Sequence, residues 1–338
     1  MTNKKKGANL SPWNVKADRF PKNGKIGSKL KFLIRYAILA PSGHNSQPWK
    51  FAIEGRQIHI LPDYLRVRKT VDPENRELYI ALGAAAKNLE LAANNFGMMF
   101  ETRLAEGKIV FDFKEGKTTR SNKELFEAIV KRNTNRNEYL KKEVEKEKLG
   151  KLKEIEGESS WVEIFDQRGQ KQNLAKLVYE AALVWYKSRD LMEELREWLR
   201  EDVEVAGDGL PTGVLNLYKV ATEVKYMFSG DGEEAKARAE RDKELVLNSP
   251  VLAVVVSKND TVEEWIDAGK VYEQLALELT KMGLSNGFFN TVVELKGRRE
   301  KLAKTLGVKG KVQMLLRIGY STSRGKLSTR RPLEEVLG

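Results

Sequence analysis

The stretch YIALGAAAKNLELAANNFGM, residues 79–98, predicts a long helix with one unusually small face. Its apolar residues recur at helical spacing, and Gly97 occupies the position of a C-terminal cap. Gly83 lies in the middle of this helix, where glycine costs about 1 kcal/mol relative to alanine. Because Gly83 is followed by three alanines, we expect a second helix to approach this face closely.

A second stretch, WIDAGKVYEQLALELTKMGL at residues 265–284, matches the first when the two are aligned without gaps. The two mid-helix glycines occupy the same position in this alignment. The leucine spacing that amphipathic helices share does not explain a glycine at that position in both. We interpret the match as a diverged tandem duplication, although two amphipathic helices could also match by chance. The identical pairs are Ile80/Ile266, Gly83/Gly269, Leu89/Leu275, Leu91/Leu277 and Gly97/Gly283.

The segments on either side of these two helices predict an α+β fold. Residues 1–27 resemble an extended arm, residues 28–120 a first module, and residues 121–338 a second module. Short strands are predicted in WKFAIEGRQIHILP, in SPVLAVVVS and in VQMLLRIGY, which favours antiparallel-rich sheets. Two tandem modules packed through the long helices would form an internal pseudo-dimer. Residues 200–232 form a long insertion, and such insertions are often lids.

The composition excludes several classes of site. There is no cysteine, so disulfides, thiolate metal sites and cysteine nucleophiles are excluded. Only His44 and His59 are present, and His59 lies in an apolar run typical of a strand. We therefore predict no metal site. Abundant lysine and glutamate without cysteine are compatible with a thermophilic source.

The formal net charge of +12 raises the possibility of a nucleic-acid partner. Most basic residues alternate with acidic ones, which is typical of solvated helix faces. A cofactor-free nucleic-acid-binding protein stays an alternative, but we predict no nucleic-acid partner. No apolar run approaches the roughly 18 residues of a membrane span. No signal peptide is recognisable, so we expect a cytoplasmic protein without a membrane partner.

The loop APSGHNSQPWKF, residues 40–51, places a polar cluster between an apolar helix and an apolar strand. Its side chains offer both hydrogen-bond donors and acceptors, and its glycine permits close backbone approach to a ligand. We interpret the loop as a rigid polar shelf for a ligand. The alternative is a helix-to-strand connection whose side chains satisfy their own backbone.

This loop resembles the signature loop of the FMN-dependent nitroreductase family, and the helix after it resembles that family's dimer-interface helix. KRNTNR, residues 131–136, resembles the family's phosphate-binding motif. RIGYSTSRGKLSTRRPLEEVL, residues 317–337, resembles its final strand and basic tail. The shelf loop lies in the first half and the phosphate motif in the second. The resemblance is therefore to the double-length, Acg-like branch, in which one chain mimics the dimer and keeps one FMN site.

The resemblance implies a set of FMN-binding residues drawn from both halves. The phosphate would be bound by arginines, which provide planar donors for it. The ribityl chain and the pyrimidine edge would lie on the shelf loop, and a backbone N–H after the second long helix would lie near the flavin N5. The residues are Arg132, Asn133, Thr134, Arg136, Arg330 and Arg331 for the phosphate region, Pro41, Ser42, Gly43, His44, Asn45 and Gln47 in the shelf, and Ser285, Asn290 or Thr291 near N5.

The implied activity is hydride transfer from NAD(P)H through FMN to an electron-poor small molecule such as a nitroaromatic or a quinone. The flavin would carry the chemistry, so no catalytic side chain is expected. The alternative is a flavin-binding or sequestering protein in which the lid covers FMN and NAD(P)H turnover is slow. The expected assembly is a monomer acting as a pseudo-dimer, or a homodimer of that unit.

Overall fold

Two antiparallel sheets flank a pair of long helices in the computed structural model, which describes residues 8–114, 116, 122–200, 206–211 and 232–338. Of the predicted lid at residues 200–232, only residues 200, 206–211 and 232 are among those described. The rest of that predicted lid lies outside the described residues.

The first sheet has the strand order β1-β2-β4-β3, and every pair is antiparallel. β1 and β2 form the predicted hairpin, with Gly55 at a φ of 59° in the turn. His59 is a buried strand residue, as predicted. The strands are β1 (Trp49–Glu54), β2 (Gln57–Pro62), β3 (Phe100–Ala105) and β4 (Lys108–Phe113).

The second sheet has the order β5-β8-β10-β9 and is also fully antiparallel. Every residue of β8 is buried, as the valine-rich run predicts, because both of its faces are covered. A separate parallel pair joins β6 to β7. The strands are β5 (Ser160–Phe165), β6 (Leu199–Arg200), β7 (Leu210–Pro211), β8 (Val251–Ser257), β9 (Ser285–Phe288) and β10 (Lys311–Gly319).

The helices of the described residues cover the two sheets and fill the space between them. They are α1 (Ile26–Ala37), α2 (Arg76–Asn95), α3 (Lys123–Ile129), α4 (Lys146–Lys153), α5 (Arg168–Lys187), α6 (Arg189–Glu197), α7 (Glu233–Asn248), α8 (Val262–Lys281), α9 (Thr291–Glu294), α10 (Arg298–Leu306) and α11 (Leu333–Val336). The two sheets and these helices confirm the predicted α+β organisation with long interface helices.

The helices α2 and α8 make the closest contact between the two halves of the chain. A Cβ atom added at Gly83 would lie 2.0 Å from the carbonyl oxygen of Ile266. A Cβ atom added at Gly269 would lie 2.0 Å from the carbonyl oxygen of Ile80. The contact is reciprocal between aligned positions, as in the isologous interface of a two-fold dimer. The close approach predicted from the paired glycines is therefore confirmed.

Both ends of the described chain pack against the first module. Leu337 bridges to Phe51 of β1, and the backbone N–H of Gly338 donates to the Phe51 carbonyl at 2.8 Å. The described part of the N-terminal arm is not extended as predicted. It forms the 3-10 segments Ala8–Asn14 and Ala17–Arg19, because Trp13 is buried in the hydrophobic core.

Among the described residues, no helix is both long and apolar enough to span a membrane.

The helix contact predicts opposite effects for two glycine substitutions. Gly83→Ala should lower the free energy of unfolding by about 1–3 kcal/mol, because the methyl group forces the two backbones apart. Gly150→Ala should raise it by up to about 1 kcal/mol, because Gly150 is an exposed helical residue with free space around it. Urea unfolding of both variants measures the difference. Equal stability of Gly83→Ala and the unsubstituted protein would contradict the close contact.

Candidate functional site

Two adjoining cavities lie where the shelf loop faces residues from the second half of the chain. The larger encloses about 260 Å³ and the smaller about 50 Å³. Pro41, Ser42, Thr134, Arg136 and Leu210 line both cavities, so the two form one elongated recess. Residues predicted from opposite halves of the sequence thus meet at a single place.

The shelf loop has a strained backbone that is held by contacts on both sides. His44, Asn45 and Gln47 have φ values of 48°, 54° and 51°. Left-handed non-glycine residues cost about 1–3 kcal/mol each and tend to cluster at functional sites. The Gln47 N–H donates to Ser42 Oγ at 2.9 Å, and Asn45 Nδ2 donates to the Thr329 carbonyl at 3.0 Å. These bonds fix the loop as a rigid wall of the recess.

Gly43 allows the loop to lie directly against a buried arginine. A Cβ atom at this position would be 2.3 Å from Nη2 of Arg68. The Arg68 guanidinium is paired with Glu77, and both side chains line the large cavity. Burial, followed by the charges of Arg68 and Arg136, lowers the pKa of His44 well below its usual value. His44 is therefore a neutral wall residue near pH 7, and its Nδ1 has no hydrogen-bond partner in the described ranges.

The small cavity contains buried cationic groups whose hydrogen-bonding capacity is not used. Arg132 is 2% exposed, and neither its Nε nor its Nη1 donates a hydrogen bond. The only carboxylate near it among the described residues is Glu273, with Nε and Oε1 3.5 Å apart. Burial raises the pKa of Glu273 to about 7, although Arg132 acts to lower it. A bound anion would satisfy the Arg132 donors better than this partly protonated carboxyl group does.

Arg136 is the second cation of the recess, and it lines both cavities. It makes no hydrogen bond or ion pair with the residues that the structure describes. Burial lowers its pKa, and the nearby charge of Arg317 acts in the same direction. Asn133 and Thr134 line the small cavity between the two arginines. The motif at residues 131–136 therefore supplies a paired set of donors at one end of the recess.

Arg330 is brought to the small cavity, as predicted, but most of its donors are committed to the protein. Its Nη2 donates to the carbonyls of Leu39 and Ala40 at 3.0 Å, and its Nη1 donates to Asn45 Oδ1 at 2.9 Å. Its Nε has no hydrogen-bond partner among the residues that the structure describes. Burial, assisted by the charge of Arg132, lowers the pKa of Arg330 to about 9. Arg330 therefore ties the end of α1 and the shelf loop to the C-terminal segment, and has one N–H left for a ligand.

Three predicted residues do not line either cavity. Arg331 donates to the carbonyls of Gln47 and Glu335 and lies 3.7 Å from Asp63. The Gln47 side chain donates to the Gly207 carbonyl and accepts from the Arg331 N–H. Both side chains thus stabilise the shelf loop on the side away from the cavities. There, the end of β1 and the C-terminal segment pack together.

Ser285 is the third predicted residue that lines neither cavity, and its position follows from its place in β9. This strand pairs with β10, and Ser285 Oγ accepts a hydrogen bond from Asn135 Nδ2 at 3.3 Å. The other two candidates after α8, Asn290 and Thr291, do line the large cavity. Within the described part of the chain, Thr291 Oγ1 is buried without a hydrogen-bond partner, whereas Asn290 Oδ1 accepts from the Leu315 N–H.

Part of the wall of the large cavity is formed by residues that the sequence interpretation missed. Trp185, Tyr186 and Leu195 come from α5 and α6, and Glu294 comes from α9. The aromatic and leucine residues have the helical spacing of ordinary core positions, so no pattern distinguished them. Glu294 follows two apolar residues in a short helix, and only the fold places it at a cavity.

The recess has the donor set expected for a flavin mononucleotide. One end is large and lined by aromatic and aliphatic side chains, as a planar ring system requires. The other end is small and lined by arginines with unused N–H groups, as a phosphate requires. Within the described ranges, no group of three or more histidine, cysteine or acidic side chains could hold a metal ion.

Comparisons with known proteins find relatives that match most of the chain and solved structures that cover slightly less than two-thirds of it. No family model matches the chain. The uncharacterized protein Rv3127 of Mycobacterium tuberculosis strain H37Rv is 22% identical over 339 residues, covering 91% of this chain and 92% of the relative. The uncharacterized protein MT3212 of Mycobacterium tuberculosis strain CDC 1551 matches equally well.

Among solved structures, the FMN-dependent nitroreductase NfnB from Mycobacterium smegmatis, in complex with NADPH, matches with 15% identity and a TM-score of 0.41. The alignment covers 63% of this chain and 96% of the solved chain. A nitroreductase with bound FMN from Bacteroides fragilis matches with 14% identity and a TM-score of 0.39, covering 63% of this chain and 95% of the solved chain.

The contacts of Arg330 predict a large loss of stability on its substitution. Arg330→Gln should lower the free energy of unfolding by at least about 2 kcal/mol, because buried carbonyl groups lose their donors. The matched control is Arg35→Gln on the exposed face of α1, which should change stability by less than about 0.5 kcal/mol. Urea unfolding without added ligand gives both values. A loss below 1 kcal/mol for Arg330→Gln would show that these buried bonds are not formed.

Proposed function

We propose that the chain is an FMN-binding oxidoreductase of the nitroreductase type, with one FMN in the recess between its two modules. The observation that carries this proposal is the combination of unused arginine donors in the small cavity with a large apolar cavity joined to it. The small cavity would hold the phosphate and the large cavity the ring system.

The roles of the protein residues follow from their positions. Arg132 and Arg136 would bind the phosphate with charge-assisted hydrogen bonds, and Arg330 would contribute its Nε–H. Ser42, His44 and the residues near them would form one wall for the ribityl chain and the ring. When bound, FMN would supply hydride transfer, accepting electrons from NAD(P)H and passing them to an electron-poor small molecule.

We also propose that the two modules arose by tandem duplication and act as an internal pseudo-dimer. The reciprocal packing of Gly83 and Gly269 supports this, because those positions are paired in the sequence alignment of α2 with α8. The shelf loop and the phosphate motif then belong to different modules, so one chain would build one complete site.

The absorption spectrum of the purified protein tests the cofactor. We expect a flavin spectrum and close to one released FMN per chain after saturation with FMN. No binding by a folded protein would contradict the proposed function. Two FMN per chain would contradict the single site and would require a second phosphate site.

Arg136 offers a selective test, because its removal should affect binding more than folding. Arg136→Gln should weaken FMN binding about 10- to 150-fold, since a hydrogen bond to a charged group contributes about 1.5–3 kcal/mol. Its stability without FMN should be unchanged or higher, because a half-buried charge without an ion pair among the described residues is removed. Fluorescence titration and urea unfolding measure the two effects. The control is again Arg35→Gln, and equal FMN affinity in both variants would exclude Arg136 from the phosphate site.

A flavin-sequestering protein is the second candidate function, and the described part of the insertion favours it. The Gly209 N–H donates to the Asn45 carbonyl at 3.2 Å, and Asp208 pairs with Arg66 and Arg200. Leu210, in the same segment, forms part of the wall of both cavities. A segment bound to the shelf loop in this way would limit the access of a nicotinamide ring.

Stopped-flow reduction of the FMN-loaded protein distinguishes these two functions. An oxidoreductase should be reduced by NADH or NADPH on a time scale of about 1 s or faster, which corresponds to typical enzyme turnover. Reduction that takes minutes, with full FMN occupancy, would favour sequestration. Photoreduction of the same sample serves as the control that the bound flavin is redox-active.

A further inference from the structure

A buried carboxyl group lies behind the small cavity, although binding of a phosphate there does not by itself require one. Glu273 of α8 is fully buried, and its Oε1 lies 3.5 Å from Nε of Arg132. Arg132 lines the small cavity, whereas Glu273 lines neither of the two cavities. The Arg132 guanidinium therefore meets the cavity on one side and this carboxyl group on another.

The fold places this carboxyl group in the contact between α2 and α8. Glu273 lies four residues after Gly269, so both residues lie on the face of α8 that packs against α2. Asn88 of α2 is fully buried as well. A carboxylate in such a contact is costly unless a cation or hydrogen-bond donors compensate its charge. Packing of the two helices alone therefore does not explain an acidic residue at this position.

The polar groups that face the Glu273 carboxyl group come from several segments. Arg132 comes from the segment after α3, Arg330 from the C-terminal segment and Asn88 from α2. Tyr272 is its neighbour in α8 and stays neutral, because burial raises the pKa of the Tyr272 hydroxyl. Both arginines also line the small cavity. The carboxyl group and an anion in the small cavity would therefore share the same positive charges.

The contact between Arg132 and Glu273 has the geometry of a weak ion pair. The Nε and Oε1 atoms are within ion-pair distance, but the Arg132 Nε makes no hydrogen bond among the described residues. Strong pairs of arginine with an anion have short, parallel N–H···O bonds. A phosphate in the small cavity can therefore become the main counterion of Arg132 without breaking a strong pair.

The carboxyl group is also able to change its charge near neutral pH. Burial raises its pKa to about 7, while Arg132, Asn88 and Arg330 act to lower it. A phosphate bound to the same arginines would bring negative charge close to the carboxyl group and offset part of their stabilising effect. Both changes favour the neutral form, because a nearby like charge disfavours a carboxylate.

We propose that Glu273 is a positioning residue of the phosphate site, which balances the charge of Arg132 in the empty recess and takes up a proton when the phosphate of FMN binds. The inference rests on the proposed function, since it needs a phosphate in the small cavity. No covalent bond between heavy atoms changes. The proton comes from solvent and adds to a carboxylate oxygen, and Arg132 stays protonated. Binding of FMN is thereby coupled to pH.

The affinity for FMN tests this coupling. A ligand whose binding is accompanied by proton uptake binds more weakly as the pH rises. The affinity of the wild-type protein should fall about 10-fold between pH 7 and pH 8.5. The FMN phosphate keeps nearly its full charge in this range, since its second pKa is about 6. Riboflavin carries no phosphate, so its affinity should stay constant. Fluorescence titrations measure both ligands, and an FMN affinity that does not change with pH would overturn the inference.

The variant Glu273→Gln separates this role from a purely structural one. Glutamine resembles the protonated carboxyl group, so at pH 8.5 the variant should bind FMN about 10-fold or more tightly than the wild-type protein. Its affinity should also be independent of pH from 7 to 8.5. If Glu273 only held Arg132 in place, the variant would bind FMN more weakly at every pH, and that result would contradict the inference. Glu300→Gln, at an exposed acid on α10, is the matched control and should keep the wild-type pH profile.

Calorimetry measures the proton uptake without any substitution. FMN is titrated into the wild-type protein at pH 7.5 in HEPES and in Tris, whose ionisation enthalpies differ, and the difference in binding heat gives the number of protons. We expect about 0.5 to 0.9 proton per FMN, since the carboxyl group is largely ionised before binding and neutral after it. Riboflavin should cause no uptake.

These measurements separate failure of this inference from failure of the proposed function. FMN that binds without proton uptake would overturn the inference alone, because the cofactor would still occupy the recess. Wild-type protein that binds no FMN would overturn the proposed function, and this inference with it.

Discussion

The contact of α2 with α8 at Gly83 and Gly269 joins the two halves of the chain. Backbone approaches backbone there, since an added Cβ atom on either glycine would overlap a carbonyl group of the other helix. Ile80 and Ala81 of α2 and Tyr272 of α8 line the large cavity, so the recess lies beside this contact. The shelf loop follows α1 in the first half of the chain, whereas the arginine motif at residues 131–136 follows α3. Without close helix packing, those two segments would not share the walls of a cavity.

The arginines of the recess fall into two groups that differ in how their charges and N–H groups are satisfied. Arg68 and Arg330 are satisfied largely by the protein, through Glu77 and through buried carbonyl groups. Arg132 and Arg136 are not satisfied in this way, and their burial has an electrostatic cost that a bound phosphate would offset. This division explains why a single small cavity can be both a structural junction and a candidate anion site.

The sequence predicted the parts of the fold that local pattern controls. Periodicity placed α2, α8 and β8, and the paired glycines predicted the helix contact. Most of the shelf and arginine residues that short sequence motifs identified also line the recess in the structure. Sequence could not show that Arg331 and Gln47 bind each other behind the loop, since that depends on where the C-terminal segment crosses to β1. Nor could it identify Trp185 or Glu294, whose patterns are those of core and surface residues and whose roles depend on packing.

The most direct test is a comparison of FMN with riboflavin in fluorescence titrations of the flavin-free protein. The two ligands share the ring and the ribityl chain, and only FMN carries the phosphate. If Arg132 and Arg136 bind the phosphate in a recess between the modules, FMN should bind with a stoichiometry of one per chain. It should also bind at least about 100-fold more tightly than riboflavin, since each charge-assisted hydrogen bond contributes about 1.5–3 kcal/mol. Equal affinity for the two flavins would contradict the phosphate site, and with it the function proposed for the recess.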